Sequence, residues 1–156
     1  VTDDREVLTW TAFGEAVDDL ARQVRADGYQ PDLVLSVARG GLALGMGLGY
    51  ALGVKDVAVI NVELYTGVDE RLPAPVVRPP TPAPVELEGR TVLVVDDIAD
   101  TGLTLRHVQQ FCAGHVADVR SAVVFEKDRS VVRPDYAWRR TEKWVDFAWS
   151  AVPVGS

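Results

Sequence analysis

The chain has 156 residues, 47% apolar and 25% charged. This balance fits one soluble globular domain spanning 1–156 and disfavours disordered, collagen-like or membrane-embedded chains. Sixteen basic against twenty-three acidic side chains leave a formal charge of −7, which argues against gripping a nucleic-acid backbone. His107, His115 and Cys112, the only histidines and cysteine, cannot build a structural zinc site, so any metal is expected on oxygen.

The opening run Val1 to Glu6 is polar and acidic where a secretory leader would be basic and then apolar, so a cytoplasmic protein is expected. Phe13, Ala16, Val17, Leu20, Ala21 and Val24 recur at helical spacing and Gly28 supplies a stop, predicting an amphipathic helix over about 11–26. Leu33 to Val37 is β-prone and ends in Ala38-Arg39-Gly40-Gly41, after which Leu42 to Leu52 can form a helix. The glycine-broken stretch Gly40 to Val54 is too short to span a bilayer, and no membrane segment is expected. Val57 to Val62 and Thr91 to Val95 are further short apolar runs; Thr101 to Ala113 reads as a helix, and Arg120 to Phe125 as a fourth strand. Strands alternating with helices predict an α/β fold, with a mostly parallel sheet flanked by helices on both faces.

Between Tyr65 and Gly89 the periodicity fades and six of the nine prolines gather. Such a stretch cannot run through the middle of a sheet, and it reads as a functional flap or a surface insertion. After Pro134 comes a distinct tail in which Trp138, Trp144 and Trp149 crowd together, either to pack a core or to meet a ligand.

The richest segment is Val92-Leu93-Val94-Val95-Asp96-Asp97-Ile98-Ala99-Asp100-Thr101-Gly102-Leu103-Thr104. A buried strand delivers two carboxylates to its C-terminal edge, where open α/β sheets bind ligands, and then turns through Gly102 into a helix. The turn from Ile98 to Thr104 offers backbone N–H groups and two hydroxyls at a helix N-terminus, a setting that favours phosphate, while Asp96 and Asp97 can accept from a vicinal diol. Diol beside phosphate describes a ribose 5-phosphate. No Gly-x-x-x-x-Gly-Lys-Ser/Thr occurs, and Gly45-Met46-Gly47-Leu48-Gly49-Tyr50 lacks the third glycine of the dinucleotide fingerprint.

Over these thirteen residues the chain resembles the type I phosphoribosyltransferases, most closely the bacterial and archaeal xanthine-guanine and hypoxanthine-guanine enzymes with a short C-terminal hood. The resemblance implies that Asp96 and Asp97 hold the ribose hydroxyls of 5-phosphoribosyl 1-diphosphate (PRPP). It implies that Ile98, Ala99, Asp100, Thr101, Gly102, Leu103 and Thr104 hold the 5-phosphate. Arg39 and Gly40 would contact the pyrophosphate, Arg39 acting in catalysis as a charge-assisted donor. Tyr65 would belong to a flexible loop at about 65–89 that closes over the reaction centre. Asp100 stands where purine-using relatives meet N7 of the base, although an aspartate there can equally cap the helix. Lys127 would contact the exocyclic oxygen, and within a hood at about 134–156 Trp144 would stack on the purine while Val145 offers its carbonyl.

The implied reaction is transfer of the phosphoribosyl group to a 6-oxopurine in purine salvage. It would use Mg²⁺ held mainly through substrate and water, with Asp96 as the side-chain contact. PRPP and a purine base are the implied partners, with a homodimer as the implied assembly. A PRPP- or nucleotide-sensing regulator on the same fold, or an enzyme for another base, is the competing class. Leu103 departs from several 6-oxopurine enzymes, which carry a basic residue or glycine there, and leaves fewer charged contacts near the phosphate.

Overall fold

A computed structural model describes residues 4–65, 74–150 and 154–155. Its elements are β1 (Arg5–Leu8), α1 (Trp10–Ala26), β2 (Leu33–Ala38), α2 (Gly41–Leu52), β3 (Val57–Tyr65), β4 (Ala74–Arg78), α3 (Pro84–Leu87), β5 (Thr91–Ala99), α4 (Leu103–Cys112), β6 (Asp118–Glu126), β7 (Tyr136–Arg140) and β8 (Trp144–Phe147). Six strands form the main sheet in the order β4-β3-β2-β5-β6-β7, all neighbours parallel except β3 with β4. This is the expected α/β architecture.

Strand alternation builds two cores. Val34, Leu93, Val95, Ala122 and Val124 face α1 and α2, meeting Phe13, Leu20, Val24, Leu44 and Leu48. On the other face Leu35, Val37, Val92, Val94 and Val123 pack with Leu105, Val108 and Cys112 of α4 and Leu87 of α3. Full burial of a side chain such as Leu20 stabilises by roughly 1.5–3 kcal/mol relative to exposure. Helix α1 buries the six residues its periodicity singled out, and the Thr9 hydroxyl caps it by accepting from Ala12 N at 3.1 Å.

Three expectations need correction. The segment after Tyr65 is not all loop, because β4 pairs antiparallel with β3 and Pro84 opens α3. Proline is tolerated here because β4 is an edge strand and because a helix's first turn has no intrahelical use for its N–H. Strand β5 continues beyond Val95 through Asp96, Asp97, Ile98 and Ala99, since β6 supplies partners as far as Ala99↔Glu126. Within the predicted hood, β7 joins the main sheet, whereas β8 pairs in parallel with β1. Arg5–Leu8 and Trp144–Phe147 therefore form a separate two-stranded sheet.

Candidate active site

The pairing of β2 with β5 ends at Ser36↔Val95. Beyond it, β2 turns off through Arg39 and Gly40 into α2 on one face, while β5 runs on into α4 on the other. Adjacent parallel strands whose helices leave in opposite directions open a crevice at their C-terminal ends. Asp96 and Asp97 sit in that crevice. A Cβ placed on Gly40 would lie 2.1 Å from Asp97 Oδ2, so the carboxylate rests directly against the Arg39–Gly40 turn. The Ala38–Arg39 peptide is cis.

Asp97 N donates to Asp96 Oδ1 at 2.8 Å. Burial pushes the Asp96 carboxyl well above the usual carboxylate range, and the neighbouring Asp97 charge adds to the rise. Burial also raises Asp97, partly offset by hydrogen bonds from Asp96, backbone N–H groups and the Trp149 indole. Among the described residues neither carboxylate is tied up in an ion pair. Both acceptors thus face the crevice uncompensated by protein cations.

Residues 96–102, with Thr104 and Leu105, line a cavity of about 250 Å³; Leu103, which opens α4, is not in its wall. Gly102 is the N-cap residue at φ +79°, and a Cβ there would meet Ser130 Oγ at 2.4 Å and Val131 N at 2.9 Å. Thr101 accepts from Leu103 N at 3.3 Å through its hydroxyl and from Val131 N at 2.8 Å through its carbonyl. The turn is therefore held by the 130–132 segment, and it presents the first N–H groups of a ten-residue helix.

Asp100 does not cap α4. Its Oδ1 instead accepts from Arg129 Nε at 2.6 Å, with a second guanidinium nitrogen closing on the same oxygen and Lys127 Nζ at 4.0 Å. Lys127 leaves the end of β6, its N–H donating to Ala99 O at 3.0 Å, and its side chain is 11% exposed. The structure thus brings together Asp100 and Lys127, separated by twenty-seven positions in sequence.

A second cavity of about 710 Å³ adjoins the first, with Asp97 in both walls. Arg39, Gly40, Leu42 and Ala43 line one side, and Phe147, Trp149 and Ser150 the other. Phe147 and Trp149 stack with centroids 5.0 Å apart. Trp144, named from sequence, stands exposed at the start of β8 outside this lining, and Val145 is buried in the core. Tyr65 ends β3, and its side chain lies outside the described residues, as does the segment 66–73 of the predicted loop. Sequence reasoning passed over Trp149 and Arg129 as site residues. The available signals were the Phe147-Ala148-Trp149 alternation at the end of a strand and an arginine two residues beyond Lys127.

Among the described residues, no group of three or more His, Cys, Asp and Glu is placed to hold a metal. The crevice nevertheless offers carboxylate oxygens free of ion pairs. That donor set would suit a Mg²⁺ ion held by one protein carboxylate with substrate oxygens and water.

The architecture is a doubly wound α/β sheet with an acidic pair and a helix N-terminal turn at its switch point, a setting chemically suited to a sugar phosphate. Residues 4–156 match the family model described as the phosphoribosyl transferase domain, and the chain belongs to that family. A crystal structure of a purine phosphoribosyltransferase from Pyrococcus horikoshii Ot3 is similar, with 36% identity, a TM-score of 0.85 and coverage of 97% of each chain. The xanthine-guanine phosphoribosyltransferase of Cereibacter sphaeroides is 30% identical over 138 residues, 85% of this chain and 80% of that one. Bifunctional protein PyrR of Ralstonia nicotianae is 31% identical over 111 residues, 69% of this chain, which spans 64% of that relative's length. Among the described residues no helix is long and apolar enough to cross a membrane.

Proposed function

We propose that this chain transfers the 5-phosphoribosyl group of PRPP to N9 of a 6-oxopurine, giving a nucleoside 5′-monophosphate and pyrophosphate in purine salvage. The observation that carries the proposal is the Asp96–Asp97 couple, free of ion pairs among the described residues, opening into the Gly102 turn at the switch point between β2 and β5. A PRPP molecule laid there sets its ribose hydroxyls against the two carboxylates and its 5-phosphate on the N–H groups leading into α4. Its diphosphate then extends toward Arg39 and Gly40.

During the reaction the bond from C1 to the diphosphate breaks, and a bond from C1 to N9 forms. Arg39 meets the negative charge developing on the departing diphosphate. Asp100 accepts or orients the proton at N7, Lys127 donates to the exocyclic oxygen, and the Phe147–Trp149 wall, rather than the outlying Trp144, supplies the aromatic face, with Val145 offering a carbonyl. Asp96 would hold a Mg²⁺ ion together with substrate oxygens and water, and the ion would supply the charge neutralisation that an acidic protein lacks.

The chain works in the cytoplasm as a homodimer. An apolar stripe on α2, Leu42, Met46 and Tyr50, lies on its exposed face beside Val57 and suits a second copy.

The test is incubation with PRPP, Mg²⁺ and, separately, hypoxanthine, guanine, xanthine, adenine, uracil and orotate, measuring pyrophosphate. Release with 6-oxopurines alone supports the proposal. Turnover only with another base moves the acceptor, and PRPP binding without turnover makes the protein a sensor. The D96N/D97N double variant is expected to lose at least tenfold in PRPP affinity, as removing charge-assisted acceptors requires; unchanged affinity overturns the site.

A further inference from the structure

Arg129 and Lys127 both approach Asp100, but unequally. Two guanidinium nitrogens of Arg129 converge on Oδ1, with Nε at 2.6 Å, whereas Lys127 Nζ stays 4.0 Å from that same oxygen. Every one of these contacts uses Oδ1. The second carboxylate oxygen, Oδ2, receives none of them.

We infer that Arg129 is a positioning residue for the acceptor base: by holding Asp100 Oδ1 it presents Oδ2 to the purine and leaves Lys127 free for the exocyclic oxygen. The inference rests on the proposed roles of Asp100 and Lys127. A planar guanidinium with two donors on one oxygen fixes a carboxylate rotamer in a way that a single flexible ammonium does not. Without it, the nearest cation to Asp100 is Lys127. That side chain is largely buried beside the carboxylate and needs only a small shift to close the remaining gap. Closing it would spend on Asp100 the charge that the base oxygen requires. Arg129 itself is 60% exposed and, among the described residues, its side chain pairs only with Asp100, so its replacement leaves both cores intact.

The experiment is steady-state kinetics and PRPP binding for R129Q, R129K, D100N and the R129Q/D100N pair. R129Q is expected to raise KM for the purine by roughly three- to tenfold, the span for losing a charge-assisted contact at a partly exposed site, while KM for PRPP stays within about twofold. R129K, which keeps the charge but not the fork, recovers part of the loss. In the D100N background R129Q adds no more than about twofold, because the two residues act as one unit.

Equal changes in both KM values, or an unchanged purine KM in R129Q while D100N raises it, would overturn the role of Arg129 and leave the base subsite standing. If D100N leaves purine turnover and KM unaltered, the subsite assignment fails first and Arg129 falls with it.

Discussion

Ionising an aspartate that is partly buried beside a second aspartate opposes folding, and Asp96 is held in that position. Its carboxyl is raised by burial and by Asp97, so the folded protein prefers it neutral. For an acid with a raised folded pKa, stability is greatest below the ordinary carboxylate range and is lost as pH rises through the elevated value. Asp96→Asn keeps the Oδ1 acceptor for Asp97 N–H but can never ionise. It should therefore be more stable than the parent at pH 8, with the gap narrowing toward pH 4. Thermal unfolding across that range checks this, and a gap that widens on acidification would contradict it. The same variant should bind PRPP more weakly, and parental affinity for PRPP should fall as acid protonates the pair. The free enzyme thus keeps its diol acceptors at some cost in stability, which fits a site shaped for ligand.

Two turns carry the site between strands and helices, and they fail differently. Gly102 sits at φ +79°, with Ser130 Oγ and the backbone of Val131 where a methyl would go. G102A should destabilise by about 1–3 kcal/mol through left-handed strain and collision with backbone, read as a lower urea midpoint. Gly40 has ordinary helical angles, and the three nearest atoms to its added methyl all belong to the Asp97 carboxylate. G40A should keep its urea midpoint and lose turnover instead, as the carboxylate swings aside.

At this scale much was legible. The apolar faces of α1 and α4 follow directly from 3.6-residue spacing, and the buried strands read as β-branched runs. What escaped the sequence depends on distant partners. The polar end of β5 stays extended because β6 lies alongside it, and β4 exists because β3 offers an edge. The signature from Asp96 to Thr104 was visible because its chemistry is local. The Arg129 contact to Asp100 was not, because it spans two strand ends.

At the level of the whole molecule, α2 connects the site to the outside. It begins at the Arg39–Gly40 turn, Leu42 lines the larger cavity, and Met46 and Tyr50 continue the stripe outward at 57% and 87% exposure. If a second copy covers this face, M46E/Y50E should shift a dimer to a monomer in light scattering while the α/β circular dichroism signal is retained. An unchanged dimer would place the contact elsewhere.

The hood has a different dependence. Strands β1 and β8 pair from Arg5↔Trp144 to Leu8↔Phe147, and Arg5 reaches Asp146 at 2.9 Å across 141 positions. A contact between such remote segments must wait for loop closure over nearly the whole described chain. With β8 removed, β1 loses its strand partner, so a polypeptide cut before Trp144 should retain ribose 5-phosphate and bind the base more weakly.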